Sequence, residues 1–225
     1  MHSLDILYED EALLFVNKPP GIVVQRAYDP DEPVLFELAA AHAGPLFLLQ
    51  RLDRGTSGVL FFSKLASINP HLTRQIEAKS IRKRYAAIAE GAVAERQSID
   101  APIRRIGAIK FGVGPGGKRA VTHVLPVAAT ASGSFLALGL ETGRTHQIRV
   151  HLAAIGHPLA GDWLYGDRNA VRPMLHALAL EMRHPVSQQA LRVRAPLPID
   201  FQEELARRGI ALSGNQDDPT SLERT

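Results

Sequence analysis

The tripeptide Arg51-Leu52-Asp53 lies in a polar insert with Arg54, Thr56 and Ser57, between two apolar runs, LFLLQ (46–50) and GVLFFSK (58–64). Both runs read as buried strands, so Asp53 is delivered to the edge of a core. A carboxylate held there without its partner costs about 3–5 kcal/mol. Beside guanidinium groups a carboxylate stays charged. It is then a poor general acid at neutral pH, but it suits a nucleophile or an electrostatic stabiliser. The plainer use is a turn cap, accepting from the amides of Gly55 or Thr56.

Other chemistries fail on their own terms. GVGPGGKRA (112–120) contains G-x-G-x-x-G and most of a P-loop, but Arg119 follows the lysine where Ser or Thr must ligate Mg²⁺. Both motifs must also open a helix, and the next residues, RAVTHVLPV, are β-rich. His146 and His151 are five apart on a helix and share no face, and H-E-x-x-H is absent, so no metal site is expected. Ser57 lacks the G-x-S-x-G elbow of a triad hydrolase.

The elements around these residues mix without a steady βαβ rhythm. ILYEDEALLFVNKPPG reads as two short strands and a corner, and 33–42 as a helix with Pro33 at its first position and Gly44 past its end. A helical middle is expected in 67–80, and a strand over 83–91. Residues 101–118 are turn-rich, and a strand pair is expected over 119–127 and 134–141. RTHQIRVHLAAIG (144–156) reads as an amphipathic helix, with Ile148, Leu152 and Ile155 inward and His146 and Arg149 on a neighbouring polar face. MLHALALEM (174–182) fits strand or helix; a strand over 191–195 and a helix near 198–208 follow. This argues for an α+β fold around a largely antiparallel sheet. Without a repeat or linker, one domain over 1–212 is the simplest organisation, with a frayed polar tail over 213–225.

The chain has 225 residues, 45% of them apolar, and no cysteine. That excludes disulfide frameworks and thiolate chemistry, and suits a cytoplasmic protein. The N-terminus is acidic without a signal-peptide pattern, and no apolar run reaches the roughly 18–20 residues of a membrane span. Charge is unevenly placed: residues 1–37 balance at −6 and the remaining 188 at +9. Residues 101–140 hold Arg104, Arg105, Lys110, Lys118 and Arg119 without one Asp or Glu, and 74–84 hold five bases against Glu77. Such runs suit a polyanion.

With these pieces together, RLDRGTSGVLFFSK (51–64) and ETGRTHQIRVHLAAIGHPLAGDWLYG (141–166) resemble the signature pair of the RluA-type pseudouridine synthases. VNKPPGIVV (16–24), KRYAAIAEG (83–91), KRAVTHVL (118–125) and LHALALEMRHP (175–185) follow the family's order and spacing. The resemblance implies the family's α+β catalytic fold, with an active-site cleft on the sheet. It implies isomerisation of uridine to pseudouridine in ribosomal or transfer RNA, without cofactor, nucleotide or metal. Asp53 would be the catalytic carboxylate. Tyr85 would stack on the uracil and move a proton, and Arg149 would pair with Asp53. Arg51 would help displace the target base. Arg54, Lys83, Lys118, Arg119, Arg144 and His146 would contact RNA, and Leu175 would pack beside the tyrosine.

Gln50 stands where the family usually has His, Gln25 replaces another frequent His, and Pro20 stands where a small residue is commoner. No S4-type RNA-binding domain precedes residue 17, so recognition is expected to rest on the basic stretches of a monomeric catalytic domain. RNA is the expected partner, with neither DNA nor a membrane. Two other readings compete: a non-catalytic RNA-binding protein on the same fold, and a glycosidase. The glycosidase would need a second carboxylate, for which Glu141 and Asp162 are the candidates.

Overall fold

The computed structural model describes residues 4–26, 32–167 and 169–211; the expected tail over 213–225 lies outside them. In chain order the elements are β1 (Ile6–Glu9), β2 (Leu13–Lys18), α1 (Leu35–Ala43), β3 (Ser57–Ser63), α2 (Asn69–Glu77), β4 (Arg82–Glu90), β5 (Gln97–Asp100), β6 (Ile103–Arg105), β7 (Phe111–Val113), β8 (Val121–Thr130), β9 (Gly133–Leu140), α3 (Gln147–Ala154), β10 (Leu175–Arg183), β11 (Ala190–Arg194) and α4 (Ile199–Arg207). They group into two compact units, Met1–Lys83 with Ala177–Pro196, and Arg84–His176 with Leu197–Thr225. Antiparallel pairing joined to helices makes the fold α+β.

In the first unit β1, β2, β3, β10 and β11 lie side by side in that order. The run Leu13–Lys18 is apolar without alternation because both faces of its strand are covered. Leu13 and Phe15 join Val59 and Phe61 under Ile68 and Leu72, the latter on α2, with Leu180, Met182 and Val193 completing the cluster. Leu14 and Val16 join Leu60 and Phe62 on the opposite side, under Leu35 and Ala39 of α1. The β1–β2 turn is held by the Asp10 carboxylate, which accepts from the amides of Ala12 and Leu13. Partial burial works against this charge, but the Tyr8 hydroxyl, the two amides and the facing His184 outweigh it and hold Asp10 below the usual carboxylate range.

In the second unit β4, β9, β8 and β5 pair antiparallel. The short hairpin β6–β7 stands apart as a sheet of its own. Strand β8 continues through Pro126 by shifting register between Pro126 and Ala128, which relieves the missing amide donor. Helix α4 sets Phe201 edge-on against Phe135 of β9, and Arg208 beyond its end forks onto Glu90 of β4.

Three expectations need correction. Residues 46–50 are extended but form no strand: Phe47 alone bridges to Ser63, because β3 already has β2 and β10 on its two sides. The α1 helix starts at Leu35, so Pro33 lies outside it, while Gly44 ends it at φ 79° as expected. Helix α3 is shorter than 144–156 and is not amphipathic, since all of Gln147–Leu152 is buried. The segment 174–182 resolves as the strand β10.

Gly58 opens β3 at φ 109°, and a Cβ there would fall inside the backbone carbonyl of Ala177. Because the obstacle is backbone, it cannot rotate aside. Gly58→Ala is therefore expected to destabilise the protein by about 3 kcal/mol, read as a lowered urea midpoint.

Candidate active site

The loop carrying Asp53 is built around a buried cation. Alternation along β2 puts Lys18 on the same face as Leu14 and Val16, and the side chain is fully buried. Its ammonium donates to the carbonyls of Pro19 at 2.9 Å, Arg54 at 3.0 Å and Thr56 at 2.8 Å. Lys18 thus grips the loop on both sides of Gly55. The Gly21 amide also donates to the Arg54 carbonyl, and the Arg54 guanidinium returns a bond to the Gly21 carbonyl. Asp53, half-buried, stands on this pinned turn, and the Thr56 amide donates to its backbone carbonyl. Arg51 is exposed, whereas Arg54 is engaged with Glu32 at 2.8 Å. In the same unit Lys83 is half-buried at the start of β4, and burial pushes its ammonium below the ordinary lysine range.

In the second unit Tyr85 is 8% exposed on β4, two residues past Lys83, with Ala87 and Ala89 continuing its face. Leu175, at the first position of β10, is buried. Arg149 is buried in the middle of α3, and its Nε and one terminal nitrogen donate to the two carboxylate oxygens of Asp162 at 2.7 and 2.8 Å. Asp162 has no exposed surface and also accepts from the amides of Leu164 and Tyr165. The Arg149 guanidinium lies 5.1 Å from the centre of the Tyr165 ring. A fork on one carboxylate and a ring against its face fix the plane of the guanidinium.

The start of α3 is equally determined. His146 takes the left-handed conformation at φ 56°, so the helix begins one residue later. The Gln147 side-chain oxygen accepts from the Thr142 hydroxyl and the Arg144 amide, while its amide group donates to Val121 O and Thr122 Oγ1. One turn on, the His151 ring bridges Thr122 Oγ1 and the Ala101 carbonyl at 2.9 Å each. Burial pushes this imidazole below its ordinary value despite the Ala101 carbonyl and the Asp100 charge. This polar lattice ties α3 to β8 and sets the azimuth of Arg149. Around it, Lys118, Arg119 and Arg144 are exposed; Arg119 lies 3.4 Å from Asp100, and Arg144 donates to its carbonyl. The P-loop-like segment leads from β7 into β8, with no helix for phosphate to bind.

Residues 12–154 match the family model of the RNA pseudouridylate synthases. The chain belongs to that family. Its enzymes are isomerases that form pseudouridine in RNA, and the protein is an RNA pseudouridine synthase of the RluA type. It is 40% identical over 213 residues to the uncharacterized RNA pseudouridine synthase YhcT of Bacillus subtilis, covering 89% of this chain and 70% of that one. With ribosomal large subunit pseudouridine synthase D of Pseudomonas aeruginosa it shares 35% over 223 residues, covering 88% and 70%. Among solved structures, human RNA pseudouridylate synthase domain containing 1 aligns with TM-score 0.75 at 26% identity, covering 86% of this chain and 83% of that one. Human RNA pseudouridylate synthase domain containing 4 has the same fold, with TM-score 0.76, 24% identity and coverage of 91% and 93%.

Residue patterns alone did not reveal which side chains hold Asp53 and Arg149 in place in this synthase. The signal that could have found Lys18 is its place at the end of a largely buried run, where a lysine needs partners inside the protein. Asp162 has its carboxylate wholly occupied by Arg149 and two amides, which leaves it unsuited to be the second acid of a glycosidase. Glu141, the other candidate, faces His123 at 3.1 Å and Arg119 at 3.6 Å. Asp162→Asn removes the charge opposite a buried guanidinium, and is expected to cost about 3–5 kcal/mol in urea unfolding.

Proposed function

We propose that the protein isomerises uridine in ribosomal or transfer RNA, with Asp53 as the catalytic carboxylate. Tyr85 stacks on the uracil and moves a proton, and Arg149 is a cation of the site whose own guanidinium is held in place by Asp162. In the reaction the bond from C1′ to N1 of uracil breaks, the base turns, and C1′ bonds to C5. C5 loses its hydrogen as a proton and N1 gains one, so atoms balance without an imported group. A carboxylate on a rigid turn suits the first step, because it stabilises or captures the electron-poor C1′ or adds to the ring. The observation that carries the reading is the Asp53 turn itself, pinned on both sides of Gly55 by two bonds from Lys18. A merely capping aspartate would not need so costly a support as a buried ammonium.

The ribosomal substrate is supported by the name of the Pseudomonas relative, and the exposed Lys118, Arg119 and Arg144 offer cations to the phosphate backbone of either RNA. Backbone contacts position RNA, while an exposed base in a loop or single strand supplies the choice of site. No described helix is long and apolar enough to cross a membrane.

The test is tritium release from cellular RNA labelled at C5 of uridine, since the new bond must expel that hydrogen. The wild type is expected to release tritium, and Asp53→Asn to release none above background while retaining RNA affinity. Release by Asp53→Asn at the wild-type rate, or none by the wild type from any RNA pool, would overturn the assignment. The second outcome is the one expected of a non-catalytic RNA-binding protein.

A further inference from the structure

The β6–β7 hairpin presents an arrangement that the isomerisation chemistry leaves unexplained. Ile106, Ile109 and Val113 are 51%, 57% and 41% exposed within a stretch of eight residues. A single exposed aliphatic side chain is ordinary. Here all three stand on one projection, in a segment (101–140) without an acidic residue, beside the exposed cations Arg104, Arg105, Lys110 and Lys118.

The tip is not loose. The amides of Ile106 and Gly107 both donate to the Lys110 carbonyl, at 2.9 and 3.1 Å. The Arg105 guanidinium folds back onto the carbonyls of Gly107 and Ala108. A surface organised before binding loses less entropy when it binds.

The base of the hairpin is tied to the helix that carries Arg149. The Tyr165 hydroxyl accepts from the Phe111 amide at 3.0 Å and shares a hydrogen bond with His146 Nδ1 at 2.9 Å. Phe111 lies edge-on to His146, Lys110 is over the Tyr165 ring at 5.8 Å, and the other side chains of the joint are Ile103, Ala120 and Val150. The same Tyr165 ring packs against the Arg149 guanidinium.

We propose that this hairpin is a clamp for unpaired nucleotides of the substrate RNA. Ile106 and Ile109 press against base faces, Arg104, Lys110 and Lys118 hold the backbone, and Tyr165 latches the hairpin to the helix bearing Arg149. Apolar wedges set among cations are how proteins hold bases out of their stack. An acidic protein partner would satisfy the charges but would give the isolated aliphatic tip no reason to sit among them. The proposal rests on the reading of the protein as an enzyme of RNA, and deepens it by naming unpaired bases as what the hairpin recognises.

The probe is a synthetic RNA stem with a seven-nucleotide uridine-containing loop, compared by fluorescence anisotropy with the same stem as a continuous duplex. Ile106→Ser combined with Ile109→Ser is expected to weaken stem-loop binding about 10-fold, with duplex binding and the salt slope unchanged because no charge is removed. Lys110→Gln should weaken both and make the salt slope shallower by about 1. Tyr165→Phe should also weaken stem-loop binding. Combined with the tip changes it should add nothing further, since both act through one element. Unchanged stem-loop affinity in the tip variant, an equal loss on duplex, a change confined to self-association in sedimentation, or full additivity with Tyr165→Phe would each overturn the clamp. Tritium release by the wild type, run alongside, keeps the two readings apart. Release with unaltered tip-variant binding sinks the clamp alone; absent release with the expected binding pattern sinks the catalytic assignment and upholds the clamp.

Discussion

A guanidinium closed off from water is the constraint on which the second unit is organised. Arg149 and Asp162 are 5% and 0% exposed. Ions buried so deeply are tolerated only when each remaining donor and acceptor is met. Asp162 meets both nitrogens of the Arg149 fork and two backbone amides, and that requirement dictates the turn at 161–166. The turn in turn places Tyr165, whose ring covers the guanidinium and whose hydroxyl reaches the β6–β7 hairpin. A helix, a turn and a hairpin thus share one charge, and none of them can shift without loosening the others.

The first unit solves a similar problem with the opposite emphasis. There the buried ion is Lys18, which donates to the Arg54 and Thr56 carbonyls in the turn that presents Asp53 and to the carbonyl of Pro19. Three main-chain carbonyls accept from one ammonium, so the chain around Asp53 is held at several points. Loops that carry chemistry are commonly the mobile parts of a protein. In this fold the loop that carries Asp53 is instead stapled through a strand interior, which holds its carboxylate in a fixed place.

Much of this was legible in the residues, for physical reasons that differ from place to place. The motif blocks around Asp53, Tyr85 and Arg149 identified the family, because chemistry restricts residue types and spacing more tightly than packing does. Strands β2, β3, β4 and β9 were readable from their apolar runs. The character of α3 was not: its pattern suggested a polar face, yet Gln147, Arg149 and His151 are buried, each paid for by hydrogen bonds that periodicity cannot express. The partner of Arg149 stands thirteen positions along the chain, beyond any helical spacing. The β6–β7 hairpin escaped notice because three-residue strands carry no period, and 46–50 looked like a strand because apolar content alone does not reveal that β3 already has neighbours on both sides.

In the proposed mechanism Arg149 acts through the orientation that the Asp162 fork gives it and not only through its charge. Arg149→Lys tests this directly, because it keeps the cation and abolishes the bidentate fork onto Asp162. The measurement is the single-turnover rate of tritium release from C5-labelled cellular RNA at saturating enzyme, taken beside RNA affinity. The expected result is a rate lowered roughly 10²-fold with affinity nearly unchanged, as misplacement of a charged group by about 1 Å would produce. A lysine variant that isomerises uridine at the wild-type rate would contradict the account, since a point charge would then suffice.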